Sequence, residues 1–226
     1  MGWIDPVDVY ALPPRLSDPE TRVVWAGAFE HSGDTRWELF DAEVQATSLA
    51  LDRCDALEIE NSTLDGVTFA GQPMPRVSAS RTVLINCDLS GARFDSLRNV
   101  RFVDCKLVGA DFAAAQLVDV SFERCVLRIV NFRMVKLRRV QFVDCTLFDV
   151  DALDLDAEDV AFSGSDLEKV NIDRLRARRV DLRGARRLGL ERVGSLSGCL
   201  IEDRQLAPLN FALAFAAGLD IERSAG

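Results

Sequence analysis

Residues 100–149 read VRFVDCKLVGADFAAAQLVDVSFERCVLRIVNFRMVKLRRVQFVDCTLFD. From Phe102 every fifth residue is apolar: Phe102, Leu107, Phe112, Leu117, Phe122, Leu127, Phe132, Leu137, Phe142 and Leu147. Two places before each of these centres stands a small or apolar residue, such as Val100, Cys105, Ala110 or Ala115, and the remaining positions are mostly polar or charged. A helix repeats its buried face about every 3.6 residues and a strand every second residue, so neither explains a period of five. Five residues must instead form one flat side of a larger coil.

The number of sides follows from which residue types recur. Val100, Val120, Val140, Val160 and Val180 share one type at a spacing of twenty, as do Cys105, Cys125 and Cys145, while Phe and Leu centres alternate. Four sides therefore make one coil. The run continues through Ala152, Ala157, Phe162, Leu167, Ile172, Ala177 and Leu182. Where the centre shrinks to Ala157 or Ala177, the residue two places earlier grows to Leu155 or Leu175. A close-packed interior penalises voids and overfilling alike, so the exchange fits two side chains sharing one rung.

The same rule runs in another phase through Leu39, Val44, Leu49, Cys54, Ile59, Leu64 and Phe69, and later Leu84, Leu89 and Phe94. Two breaks are expected. Pro73 and Pro75 cannot donate ladder hydrogen bonds and predict a projecting loop over 70–80, although Met74 and Ala79 keep the phase. The frame then shifts by three residues between Phe94 and Phe102, predicting a bulge or short loop at 95–99. The centres amount to about seven coils at four sides each.

Three regions follow. Residues 1–36 lack the rule, carry four prolines with Trp3 and Trp25, and read as an N-terminal arm or cap; residues 37–200 form the coils; residues 201–226 hold a C-terminal helix. Asp203 is its expected N-cap, Pro208 a kink or first-turn residue, and Gly218 its stop. Leu206, Leu209, Phe211, Leu213, Phe215, Leu219 and Ile221 give that helix more apolar surface than one coil end covers. They predict a dimer interface, a simple cap being the alternative.

Composition narrows the function. With 226 residues, 48% hydrophobic and 28% charged, the chain belongs to the folded globular class, and no run reaches the roughly 18 apolar residues of a membrane span. Asp5 and Asp8 stand where a secretory signal would be basic, so a cytoplasmic protein with reduced thiols is expected. A net charge of −9 disfavours nucleic acid and anionic membranes as partners. The excess is N-terminal: residues 1–100 hold 16 acidic and 8 basic side chains, against 20 and 19 in residues 101–226.

No catalytic, cofactor or metal constellation emerges. His31 is the one histidine, in a polar stretch outside the coils. Cys105, Cys125 and Cys145 sit at inward positions and lack the close ligand spacing of a zinc site. The acids from Asp149 to Asp159 lack the glycine-bearing spacing of a calcium loop. No phosphate loop, dinucleotide fingerprint or nucleophile elbow is present.

Cys87-Asp88-Leu89-Ser90-Gly91, Ala110-Asp111-Phe112-Ala113-Ala114 and Ser165-Asp166-Leu167-Glu168-Lys169 follow the loose motif Ala-(Asp/Asn)-Leu-x-x. Over about residues 37–190 the chain resembles the pentapeptide-repeat family. The resemblance implies an all-β solenoid, the right-handed quadrilateral β-helix, followed here by an α-helix. Among the family's members, Qnr-type fluoroquinolone-resistance proteins and immunity proteins against topoisomerase poisons are homodimeric rods. Their acidic surface imitates duplex DNA and binds DNA gyrase or topoisomerase IV. Carried over, the partner-binding acids would be Asp52, Asp55, Glu58, Glu60, Asp65, Asp149, Asp151 and Asp154. Against this, Lys136, Arg138 and Arg139 lie one coil from Asp156, Glu158 and Asp159, which lie one coil from Arg176, Arg178 and Arg179, so that face neutralises itself. A structural or adaptor scaffold for another protein is the alternative function.

Overall fold

The computed structural model describes residues 22–23, 30–31, 35–45, 48–50, 54–70 and 74–219. They form a parallel β-solenoid of about eight turns with a single short C-terminal helix. Successive coils pair in parallel and in register: Leu117 lies opposite Leu137, Val120 opposite Val140 and Phe122 opposite Phe142. Twenty residues separate each pair, the period that the valine and cysteine columns predict.

Four columns of centres fill the interior. Phe102, Phe122, Phe142 and Phe162 stack ring on ring at 4.7, 4.9 and 4.8 Å. Phe94, Phe112 and Phe132 stack at 4.6 and 4.7 Å on the opposite side. The two stacks meet edge to face, Phe112 standing 6.3 Å from Phe122 at 79°. Such ring pairs contribute about 0.5–1.5 kcal/mol beyond their buried area. Leucines fill the other two sides, as in Leu107, Leu127, Leu147 and Leu167, each almost fully buried.

Each side ends in a sharp corner, two residues after its centre, where the backbone turns left-handed. Asp104, Asp119, Asp144, Asp149, Asp154 and Asp159 occupy such corners with φ between 52 and 59°. A left-handed turn costs an ordinary side chain about 1–2 kcal/mol, and Asp and Asn pay least after Gly because their short polar groups bond locally. Arg124, Arg139, Arg174 and Arg179 take the same conformation at other corners, so the backbone favours Asp there without requiring it.

The inward position before each centre has its own local chemistry. The Cys105 thiol donates to the carbonyls of Leu84 and Val103 at 3.3 and 3.4 Å. Cys125 and Cys145 repeat the pattern one and two coils on, and Ser165 takes over with its hydroxyl, 3.1 Å from the Phe142 carbonyl. These thiols and hydroxyls bridge neighbouring coils. Cys199 has no such column, and burial raises its pKa to about 11.

Two expectations are corrected. Of the stretch 70–80 assigned to a projecting loop, residues 76–80 begin the strand Arg76–Ile85, which pairs with Ala56–Glu60 and Thr63–Asp65. Pro75 is buried just before this strand and does not interrupt its ladder, while residues 71–73, Pro73 among them, lie outside the described residues. The turn count is about eight because the coils continue past the counted centres at both ends: Arg22–Val23 pairs in parallel with Ala42–Glu43, and Arg187–Arg192 with Asp166–Asn171. At 95–99 the chain stays in the single strand Arg93–Val103, with its register shifting between Phe94 and Ser96.

The shaft ends under the helix. A 3₁₀ turn, Asp203–Gln205, leads into α1, Leu206–Ala216. The N-cap is Glu202 rather than Asp203, because Gln205 reaches back to accept from the Glu202 amide at 2.8 Å. Pro208 falls in the first helical turn, where a missing N–H costs nothing. Gly218 turns left-handed at φ 75°, and the Leu219 amide donates to the Ala214 carbonyl at 2.9 Å, closing the end.

Candidate partner-binding surface

The acids of the coils have two kinds of partner. In the middle and C-terminal coils, carboxylates are held by arginines one coil away. Arg124 grips Asp104 through Nε and Nη2 at 2.8 and 2.7 Å, Arg179 grips Asp159 at 2.5 and 2.8 Å, and Arg174 Nη2 bonds Asp154 at 2.8 Å. The Arg124 bonds lower the Asp104 pKa, and the Arg138 bond does the same for Asp156. Whole coils alternate in sign: residues 124–143 hold six basic and no acidic side chains, and residues 144–163 hold seven acidic and no basic ones. Stacked in register, they cancel.

In the N-terminal coils neutral groups do the holding. Asn61 Nδ2 donates to Asp41 at 2.5 Å, Asn86 Nδ2 to Asp65 at 3.1 Å and Gln45 Nε2 to Glu43 at 2.9 Å. The Thr35 hydroxyl donates to Asp55, and Glu60 pairs with Arg81. An amide fixes a carboxylate without cancelling its charge. Glu38 lies directly opposite Glu58 in the ladder, a like-charge placement that costs stability. Residues 35–65 hold eight acidic and two basic side chains.

The eight acids singled out from sequence thus part into groups. Asp55, Glu58, Glu60 and Asp65 lie together on the N-terminal coils, while Asp52 falls outside the described residues. Asp149 is exposed at its corner and has no ion pair among the described residues. Asp151 accepts from Leu153 N, Asn171 Nδ2 and Arg133 Nη1 at 3.2, 3.0 and 3.2 Å, and Asp154 belongs to Arg174. The sequence reading passed over Glu38 and Asp41, whose signal was an acid recurring one coil away and an amide at spacing twenty, and Glu43, whose amide partner Gln45 stands two residues on.

The helix residues also part. Leu209 is fully buried against the last coil, with Leu213 packed beside it. Leu206, Phe211 and Leu219 are 50%, 58% and 59% exposed. Phe215 lies in the helix, but its side chain and all of Ile221 fall outside the described residues. Among the described residues, no group of three His, Cys, Asp or Glu side chains is placed to hold a metal ion, and no helix is long and apolar enough to cross a membrane.

A family model described as the pentapeptide repeat region matches residues 95–172. Over those residues the chain carries pentapeptide repeats. The motif's acid now has a structural reason: Asp88, Asp111 and Asp151 each accept from the backbone N–H two residues on, at 3.1, 3.0 and 3.2 Å, bracing the centre between them. No curated protein sequence matches the chain. Among solved structures, it is similar to a trypsin-treated variant of QnrB1, a plasmid-mediated fluoroquinolone resistance protein, with 16% identity, a TM-score of 0.37 and coverage of 82% of this chain and 99% of that one. It is also similar to HetL, a pentapeptide repeat protein involved in heterocyst differentiation regulation from the cyanobacterium Nostoc, with 16% identity, a TM-score of 0.22 and coverage of 76% and 93%.

Proposed function

We propose that this protein is a non-enzymatic, cytoplasmic rod that binds a basic protein surface in place of DNA, its partner being DNA gyrase or topoisomerase IV. The observation that carries this reading is the change of partner along the shaft: arginines neutralise the corner acids of the later coils, whereas amides hold Asp41, Glu43 and Asp65 with their charge intact. Glu38 against Glu58 adds a like-charge pair that folding alone would select against. A strip of fixed, uncancelled carboxylates along a straight shaft presents the charge pattern that a DNA-binding groove recognises in phosphates. The resemblance to topoisomerase-binding members of the family supplies the named partner, and protection from topoisomerase poisons follows from competition with DNA.

On this reading the protein works as a homodimer through Leu206, Phe211 and Leu219, while Leu209 and Leu213 hold the helix to the shaft. Competition anisotropy tests the partner: labelled duplex DNA bound to gyrase is displaced by this protein, and rising salt weakens the displacement. No displacement at tens of micromolar protein and low salt refutes it.

One observation favours a second reading, an adaptor for an apolar partner. Ile129 and Met134 stand 62% and 56% exposed at neighbouring corners of the charge-cancelled shaft. A partner captured there would be lost on changing Ile129 and Met134 and kept on changing Asn61 and Asn86.

A further inference from the structure

Between the start of α1 and the strand Arg187–Arg192 lies a crevice of about 430 Å³. Its apolar walls come from Leu167, Ala185, Leu188 and Pro208. Two guanidinium groups, Arg186 and Arg187, border it and are 57% and 73% exposed.

These arginines differ from those of the corner ladder. Arg124 and Arg179 each grip a carboxylate with two bonds of 2.5–2.8 Å. Arg186 comes only to 3.7 Å from Asp166 and 4.0 Å from Asp144, and Arg187 to 4.0 Å from Glu168. These are loose contacts beyond hydrogen-bond reach, of the exposed kind that contributes little to stability. Arg204, on the same wall, is already engaged by Glu202. The crevice floor is fixed by Gln205, whose Nε2 donates to the carbonyls of Leu182 and Ala185 at 2.8 and 3.3 Å. The result is a preformed apolar slot with two under-used forked donors at its mouth. That combination of apolar concavity and a few convergent polar groups marks a small-molecule site, and a guanidinium fork matches the two oxygens of a carboxylate or sulfonate.

We infer that this crevice binds a small amphiphilic anion, its apolar body against Leu167, Leu188 and Pro208 and its head group between Arg186 and Arg187. The site is independent of the acidic coils and of any topoisomerase.

The probe is anilinonaphthalene sulfonate, an aromatic body carrying one anionic group. The full chain should bind it at one saturable site with blue-shifted emission. Arg186→Gln/Arg187→Gln should weaken binding roughly tenfold or more through loss of charge-assisted hydrogen bonds. Decanoate should displace the dye, whereas neutral decanol of equal chain length should not. Phe40→Ser, which removes an exposed aromatic ring from the distant N-terminal coils, should leave the affinity unchanged. Undiminished binding in the double arginine variant, displacement by decanol as effective as by decanoate, or loss of the site in Phe40→Ser would each overturn the assignment. Both arginines are exposed and loosely paired, so the variant should melt with the parent, and circular dichroism checks that the readout reports binding.

Discussion

Arg139 holds Asp119 from the same corner one coil away, Nε to Oδ1 at 2.6 Å and Nη2 to Oδ2 at 2.8 Å. Asp119 is only 13% exposed at its side chain, so this fork works in a partly desolvated setting. Arg139→Ala should lower the unfolding free energy by about 1–2 kcal/mol in urea titration. A double-mutant cycle with Asp119→Ala should return a coupling near 1 kcal/mol; additive losses would show that the fork contributes nothing of its own.

Ile129 presents the opposite case. It is β-branched, 62% exposed and held at φ 55°, a conformation that suits Asp, Asn or Gly. Ile129→Asn should raise stability by about 1 kcal/mol through relief of that strain, since little burial is lost. Thermal melting measures it, and a lower midpoint would mean that the side chain packs in solution.

The shaft core is not evenly filled. A cavity of about 60 Å³ lies near the C-terminal end, lined by apolar side chains including Ala152, Leu155, Ala157 and Leu175. The growth of Leu155 and Leu175 therefore only partly offsets the shrunken centres. Ala157→Val should place two methyl groups in this space and stabilise the protein by roughly 1 kcal/mol, whereas Leu137→Ala beside it should cost about 2–5 kcal/mol. Guanidinium unfolding distinguishes the two signs.

Acid should loosen the ladder. Asp104 and Asp156 have lowered pKa values in the fold because Arg124 and Arg138 bond to them. For such depressed groups the stabilisation is complete above the unfolded carboxylate pKa of about 3.9 and is lost as pH falls through the folded value. Melting temperature should be flat on this account from pH 7 down to about 4 and then fall. Asp156→Asn should soften that fall; an unchanged acid limb would remove Asp156 from the ladder's contribution.

Most of the interior was legible because burial repeats at five and twenty, and Phe102 to Leu182 could be placed by counting. Leu97 escaped: it follows Phe94 by only three residues because the chain runs from Arg93 to Val103 as one strand. The helix clamp escaped as well, since Gln205 acts through contacts with Leu182 and Ala185 that no local pattern announces. For the surface, charge counts located the N-terminal excess but gave every acid equal weight. Only the partner at spacing twenty separates Asp41, held by Asn61, from Asp154, held by Arg174.

The central claim is that uncancelled acid on the N-terminal coils engages the topoisomerase, and a DNA gyrase supercoiling assay with and without a fluoroquinolone tests it most directly. Three proteins are compared: the parent, Asn61→Arg/Asn86→Arg, which neutralises Asp41 and Asp65, and Gln116→Arg/Gln141→Arg, which adds equal charge to the later shaft. The account predicts that the parent and the shaft variant inhibit supercoiling or rescue it from the drug, while the Asn61→Arg/Asn86→Arg variant needs at least tenfold more protein. Equal potency of all three, or no effect of the parent on its host's gyrase, would contradict it.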